Sequence, residues 1–331
     1  MIHGLINAMK VTEILQGWKS ILAGRAPFLS IEVTKECPLS CPGCYAYGDE
    51  HLGGNVLLTQ VSDFKGKELV DRFMQLVDRH RPLHVSIVGG EPLVRFRELN
   101  DILPQLAARR IVIQLVTSAV RPIPIEWAGT QKLTIVVSID GLAPEHDVRR
   151  KPATYDRILK HIEGHQITVH CTITRQMTER PGYLREFMDF WSARPETEKV
   201  WFSMFTPQVG ETSYEILPPQ ARVQVVKELH EMRAVYPKLS MTKMTIDGFL
   251  APPSKPNDCI FANITRTFTA DLKTQVGPCQ FGGNPDCSQC GCIASAGLNS
   301  IGRVTLGGIR IARIYEQSFK IGNTIAALRG D

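Results

Sequence analysis

The stretch FLSIEVTKECPLSCPGCY, residues 28 to 45, runs a β-type apolar segment straight into three closely spaced cysteines. Ile31, Val33 and their neighbours, with no helical spacing, read as a strand from Ser30 to Lys35. Cys37, Cys41 and Cys44 follow at once; Pro38 and Pro42 stiffen the loop between them and Gly43 lets the backbone turn tightly. Working outward, the same alternation of a short apolar run and a helical pattern recurs. Further strands are expected at His84 to Val88, Ile111 to Thr117, Leu133 to Ser138, Ile167 to Thr174 and Val200 to Phe205. Most are apolar on successive residues, which predicts strands covered on both sides. Helical faces lie between them, such as Leu69, Val70, Phe73, Leu76 and Val77, then Tyr155, Ile158, Leu159 and Ile162, then Leu184, Phe187, Met188 and Trp191. Another stretch, Gln220 to Tyr236, is helical and ends at Pro237. Six βα units are two short of a closed eight-stranded barrel. The expected fold is therefore α/β, a partial (β/α)6 barrel, open and TIM-like, with functional residues at the carboxyl ends of its strands.

Three thiolates can hold three irons of a cubane and leave the fourth without a protein ligand, open to a substrate or cosubstrate. A structural zinc site wants four ligands, and no fourth lies nearby. After the second strand comes Gly89-Gly90-Glu91-Pro92, which read alone is a tight turn. A second cysteine group begins at Cys259 and continues through Cys279, Cys287, Cys290 and Cys292, with Gly277, Gly282, Gly283 and Gly291 between them. Four of the five thiols would close a cubane, while the Cys287-x2-Cys290 pair also suits structural zinc. The segment has so few long apolar runs that a metal is expected to hold it together. Cys171, inside a strand, reads as a packed thiol.

Eight of the nine cysteines fall in two groups, which points to metal binding in a reduced, low-oxygen, cytoplasmic setting more than to a disulfide framework. A net charge of +5 over 331 residues gives no argument for a nucleic-acid partner. No apolar run is long enough to span a membrane and no export signal begins the chain, so a soluble protein is expected. Leu5, Ile6, Met9, Ile14, Trp18, Ile21 and Leu22 could form one side of an interrupted helix that packs on the body of the protein or makes peripheral membrane contact. The expected division is an N-terminal helical extension (1–27), the barrel (28–236), a Cys-rich region (237–310) and a C-terminal helix (311–331).

The Cys37-x3-Cys41-x2-Cys44-Tyr45 spacing at the end of the first strand, with Gly89-Gly90-Glu91-Pro92 after the second, resembles the radical S-adenosylmethionine superfamily. The segment Val137-Ser138-Ile139-Asp140-Gly141, followed by Glu145, His146, Asp147 and Arg150, resembles the fourth-strand motif of its members that carry an extra cluster domain. Thr117-Ser118-Ala119 stands where many relatives have Thr-Asn-Gly. The resemblance implies that Cys37, Cys41 and Cys44 hold a [4Fe-4S] cluster whose open iron is chelated by S-adenosylmethionine. It implies Tyr45 near the adenine, Gly89, Gly90 and Glu91 at the methionyl ammonium, and Ser138, Thr172 and Arg175 at the ribose and carboxylate. Reductive cleavage would then give a 5′-deoxyadenosyl radical acting on a C–H or double bond, with flavodoxin or ferredoxin as electron donor. The second cysteine group resembles the auxiliary-cluster region called SPASM, or its shorter twitch form. Five cysteines favour one further [4Fe-4S] cluster on Cys259, Cys279, Cys287 and Cys290, with Cys292 as substitute or spare. The region around Cys279 and Cys287 also resembles that of hopanoid-associated radical enzymes. About 27 residues before the first strand are too few for a winged peptide-binding domain, so a small-molecule or lipid substrate is expected ahead of a peptide. The reading of another class is an electron-transfer iron–sulfur protein or a zinc-structural protein without cleavage of S-adenosylmethionine.

Overall fold

The computed structural model describes residues 11–42, 44–48, 51–52, 57–152 and 155–329. Gly43, Leu5, Ile6 and Met9 lie outside the described residues. Eight strands form one sheet: β1 (Phe28–Glu32), β2 (His84–Val88), β3 (Val112–Thr117), β4 (Leu133–Ser138), β5 (Ile167–Ile173), β6 (Thr197–Met204), β7 (Thr265–Phe268) and β8 (Gln275–Val276). Their order is β6-β5-β4-β3-β2-β1-β7-β8, parallel from β6 to β7 and antiparallel only at β8. The end strands β6 and β8 do not pair, so the barrel stays open.

Strand register explains which way the sheet faces. Ile31, Ile87, Leu115, Ile135 and Ile167 stand side by side across five strands, all buried. The helices Gly66–His80 and Phe96–Ala108 cover this face with Leu69, Phe73, Leu99 and Ile102. One residue along, the row is Thr267, Ser30, Ser86, Gln114 and Thr134. Farther round, Ser138 pairs with His170, and Thr172 with Ser203. The exposure of β2 and β3 alternates accordingly, with Ser86 and Gln114 half-buried between buried neighbours. β1 and β4, buried on successive residues, match the expectation of strands covered on both sides, whereas β2 and β3 are only half-buried on the polar face that looks into the open barrel.

The crossover from β3 to β4 also differs from a regular βα unit. It carries only the short turn Ile125–Gly129. The helix Val11–Leu22 packs on the helix Ile311–Arg329 through Trp18, stacked 4.4 Å from Tyr315 and donating to Ser318 Oγ at 2.9 Å. Gly24 and Gly322 permit the close approach, since a Cβ on either would strike the other helix's backbone. Before the last helix stands a hairpin, β9 (Thr305–Leu306) and β10 (Ile309–Arg310). No helix among the described residues is long and apolar enough to cross a membrane.

Candidate active site

The first cysteine loop leaves β1 at the open end of the barrel and is pinned at its stem. Gly90 N donates to Thr34 O at 2.8 Å and Glu91 N to Glu36 O at 2.9 Å, so the Gly89-Gly90-Glu91 turn lies directly against the approach to Cys37. Both glycines are required by this contact. Gly89 has φ +141°, and a Cβ there would sit 2.7 Å from Thr34 O; one on Gly90 would penetrate Glu36 O. Tyr47, which donates to Lys35 O, closes over Gly90. Beneath the stem, the buried Arg95 bridges Glu36 (3.0 Å) and Asp63 (3.1 Å), and Asp63 also accepts from Thr34 Oγ1 at 2.8 Å. Glu36 is held down to about 2 chiefly by Arg95 and then Lys65.

Glu91 is the anchor of the turn. Its buried carboxylate accepts from Leu93 N at 2.9 Å, Thr117 Oγ1 at 2.5 Å, Ser118 N at 2.8 Å and Ser118 Oγ. The carboxylate thus joins the β2 turn to the end of β3. Ala119 follows at φ +50° and fully buried, a left-handed position that suits glycine better.

Cys37, Cys41 and Cys44 are half-buried. Burial pushes the Cys37 thiol up to about 11 and raises Cys41 as well. A thiol in such surroundings ionises only against a nearby cation, which suits it to a metal and not to a free nucleophile. Tyr45 opens the turn Tyr45–Tyr47 and lies edge-on to Phe281 at 5.4 Å and near His51 at 5.6 Å.

His51 connects three parts of the chain. Its Nε2 faces Glu32 Oε1 at 2.9 Å and its Nδ1 faces the carbonyl of Phe281 at 3.0 Å. The Phe281 carbonyl can only accept, so Nδ1 carries a proton, and Nε2 pairs with Glu32. Burial alone would lower the His51 pKa, but the bonds to Glu32 and Phe281 outweigh it and raise it. Gly282 allows the contact, since a Cβ there would overlap His51 O.

Of the weaker candidates, Ser138 is buried at the end of β4, and Thr172 N donates to Asp140 Oδ1 at 3.3 Å. Asp140 is buried between Arg149 (2.5 Å) and Arg150 (2.7 Å), and Arg149 also pairs with Glu215 at 2.7 Å. Arg150 places its charge beside Cys41. Arg175 instead turns to the surface, bonded to Glu179 at 3.0 Å and 4.4 Å above the ring of Tyr214.

The second cysteine group converges. Cys259, Cys279, Cys287, Cys290 and Cys292, separated by up to 33 residues of chain, line one small cavity with Phe261, Phe281 and Ser295. Cys259 Sγ lies 3.3 Å from Ser295 Oγ, and Gln280 Nε2 lies 3.6 Å from Cys292 Sγ. Burial pushes Cys279 up to about 12 and Cys287 to about 11. Arg222 fastens this loop to the barrel, donating to the carbonyls of Phe249 (3.2 Å), Cys290 (3.0 Å) and Gln289 (2.6 Å). Gly291 rests on β6, where a Cβ would overlap Met204 O. Among the described residues no three His, Cys, Asp or Glu side chains are closed into a finished metal-binding group; the thiols converge on a cavity without being drawn together. The donor chemistry of both sets fits iron–sulfur ligation, and the second set fits zinc as well.

Sequence reasoning missed His51, Glu32, Arg95 and Arg222. Asp140 and Arg150 belonged to a motif that was read, but their pairing was not; the others carried no local signal.

Fold and first loop together define an open, mostly parallel α/β barrel with a three-cysteine loop after its first strand. A family described as "4Fe-4S single cluster domain" matches residues 29–130, which include Cys37, Cys41, Cys44 and the Gly89–Glu91 turn. Among solved structures, Streptococcus suis SuiB bound to S-adenosylmethionine matches with TM-score 0.53 and 15% identity over 78% of this chain and 60% of its own. SuiB bound to precursor peptide SuiA matches with TM-score 0.56 and 15% identity, over 93% and 69%. Native anSMEcpe with bound AdoMet matches with TM-score 0.56 and 16% identity, over 91% and 97%. The chain thus spans 60% of the length of the first of these, and at such identities the likeness is one of fold. No curated protein sequence matches the chain.

Proposed function

We propose that this chain is a radical S-adenosylmethionine enzyme acting on a polar small molecule or on the polar part of a lipid. The observation that carries the reading is the contact of the Gly89-Gly90-Glu91 turn with the stem of the three-cysteine loop, an arrangement for which an electron-transfer or zinc-structural protein has no use. Cys37, Cys41 and Cys44 would hold the [4Fe-4S] cluster, which when bound supplies the electron for reductive cleavage of S-adenosylmethionine to methionine and a 5′-deoxyadenosyl radical. The chain's own residues do the positioning. Backbone carbonyls around Gly89 and Gly90 would accept from the methionyl ammonium, with Glu91 fixing the turn from behind. Tyr45 would border the adenine, and Ser138 and Thr172 the ribose. Arg150 is better placed than Arg175 to meet a carboxylate near Cys41. Ser86, Gln114, Thr134 and His170 would meet a substrate that offers hydrogen bonds.

Cys259, Cys279, Cys287 and Cys290, with Cys292 in reserve, would hold a second cluster, and a flavodoxin or ferredoxin in a reduced cytoplasm would donate electrons. A peptide substrate is the second reading, favoured by the match over 93% of this chain to a structure containing a precursor peptide.

The test is anaerobic reconstitution with iron, sulfide and zinc analysis, then dithionite and S-adenosylmethionine. Formation of 5′-deoxyadenosine is expected. Zinc in the first loop, or no cleavage by fully loaded protein, overturns the proposal. Cys41→Ala should abolish cleavage, whereas Cys287→Ala should keep part of it and lose turnover of substrate; equal, full activity in both refutes the two-site reading.

A further inference from the structure

The hairpin before the last helix is built unlike the rest of the surface. Gly307 and Gly308, at φ +58° and +81°, make the two-residue turn, and Leu306 faces Ile309 directly across the ribbon. Opposed residues share a face, so one side of the ribbon is a leucine–isoleucine pair and the other is Thr305 with Arg310. Leu306 is 57% and Ile309 51% exposed. A two-stranded ribbon is marginal in water by itself, and this one turns its apolar pair away from the protein. Along the helix that follows, Ile321, Ile325 and Leu328 recur at spacings of four and three and are also exposed. The charge around the pair is mostly positive, with Glu316 near Arg313 as the acid on this face. Arg303, Arg310 and Arg313 are exposed and have no ion pair among the described residues, and the neighbouring acid, Glu316, is bonded to Lys320 at 2.8 Å.

We propose that this hairpin and the outer face of the last helix dock the protein on an anionic phospholipid surface. Leu306 and Ile309 enter the boundary between headgroups and acyl chains, and Arg303, Arg310 and Arg313 lie at the phosphate level. Exposed apolar side chains flanked by arginines match the two contributions to such binding, apolar burial and attraction to anionic lipid. The surface is a different one from the N-terminal helix considered in the sequence, whose Trp18 and Ile21 are used in packing. The inference goes beyond the proposed reaction and stands whether or not S-adenosylmethionine is cleaved.

The test is co-sedimentation of the full chain with vesicles of phosphatidylcholine alone and with about a third phosphatidylglycerol, at low and high salt. Binding is expected to the anionic vesicles, at least tenfold above the neutral ones, and to weaken as salt rises. The double variant Leu306→Asp, Ile309→Asp should lose binding about tenfold or more with an unchanged circular dichroism spectrum and melting temperature. Arg310→Glu with Arg313→Glu should remove the preference for anionic vesicles. Equal binding to both compositions, or none by folded protein, overturns the proposal. So does a dimer in light scattering without lipid that the double variant splits, which would assign the face to a second copy of the chain.

Discussion

The substitution Glu91→Gln separates two roles for a residue at the centre of the candidate site. Oε1 takes Leu93 N and Thr117 Oγ1, and Oε2 takes Ser118 N and Ser118 Oγ. A glutamine keeps one acceptor oxygen and puts an NH2 donor where the other was. The hydroxyl on that side can rotate and accept, but the backbone N–H cannot, so either orientation strands one buried donor. That costs about 1–3 kcal/mol, and loss of charge assistance on the remaining bonds adds about 1 kcal/mol, for a total of about 2–4 kcal/mol. With a urea dependence of about 3 kcal/mol per M, the unfolding midpoint should fall by about 1 M. The assay is urea unfolding followed by circular dichroism, without S-adenosylmethionine. If Glu91 served the cosubstrate and not the turn, the midpoint would stay within about 0.2 M of wild type while binding of S-adenosylmethionine disappeared, and the reasoning would be refuted.

Asp140→Asn should destabilise the protein by about 3–5 kcal/mol, because it leaves Arg149 and Arg150 without their shared buried anion. Burial by itself would raise the Asp140 pKa, but Arg150 and Arg149 hold it far below the usual carboxylate range. Its stabilisation is therefore present above the ordinary aspartate pKa and fades as pH falls toward the depressed value, so the wild type should lose stability in acid more steeply than Asp140→Asn; parallel acid titrations by circular dichroism would argue against it. Gly291→Ala should loosen the second cysteine loop from β6, since the new Cβ overlaps Met204 O; faster proteolysis between residues 277 and 292 is the expected readout, and an unchanged rate would count against that contact. Ala119→Gly should leave stability unchanged or raise it by up to about 1 kcal/mol by relieving a left-handed alanine; clear destabilisation in urea would contradict the strain.

Strands and the first cysteine loop were legible because their signals are local: a run of Ile and Val, then three thiols within eight residues. The helices were visible through spacing alone, and between β3 and β4 the chain makes only the short turn Ile125–Gly129. The polar row Ser30, Ser86, Gln114 and Thr134 was in plain sight within each strand, yet it becomes a wall only when register aligns the four strands.

The sequence by itself determined the kind of chemistry the loop can hold and the open α/β barrel that carries it, since thiol spacing and strand periodicity survive in any short window of chain. Only the tertiary structure decided that Glu91 anchors its turn to β3, that His51 meets a carbonyl 230 residues away, and that Arg222 fastens Cys290 to the barrel. Those contacts join distant segments through buried charges and close backbone approaches, which no local pattern encodes and which exist only once the chain has packed.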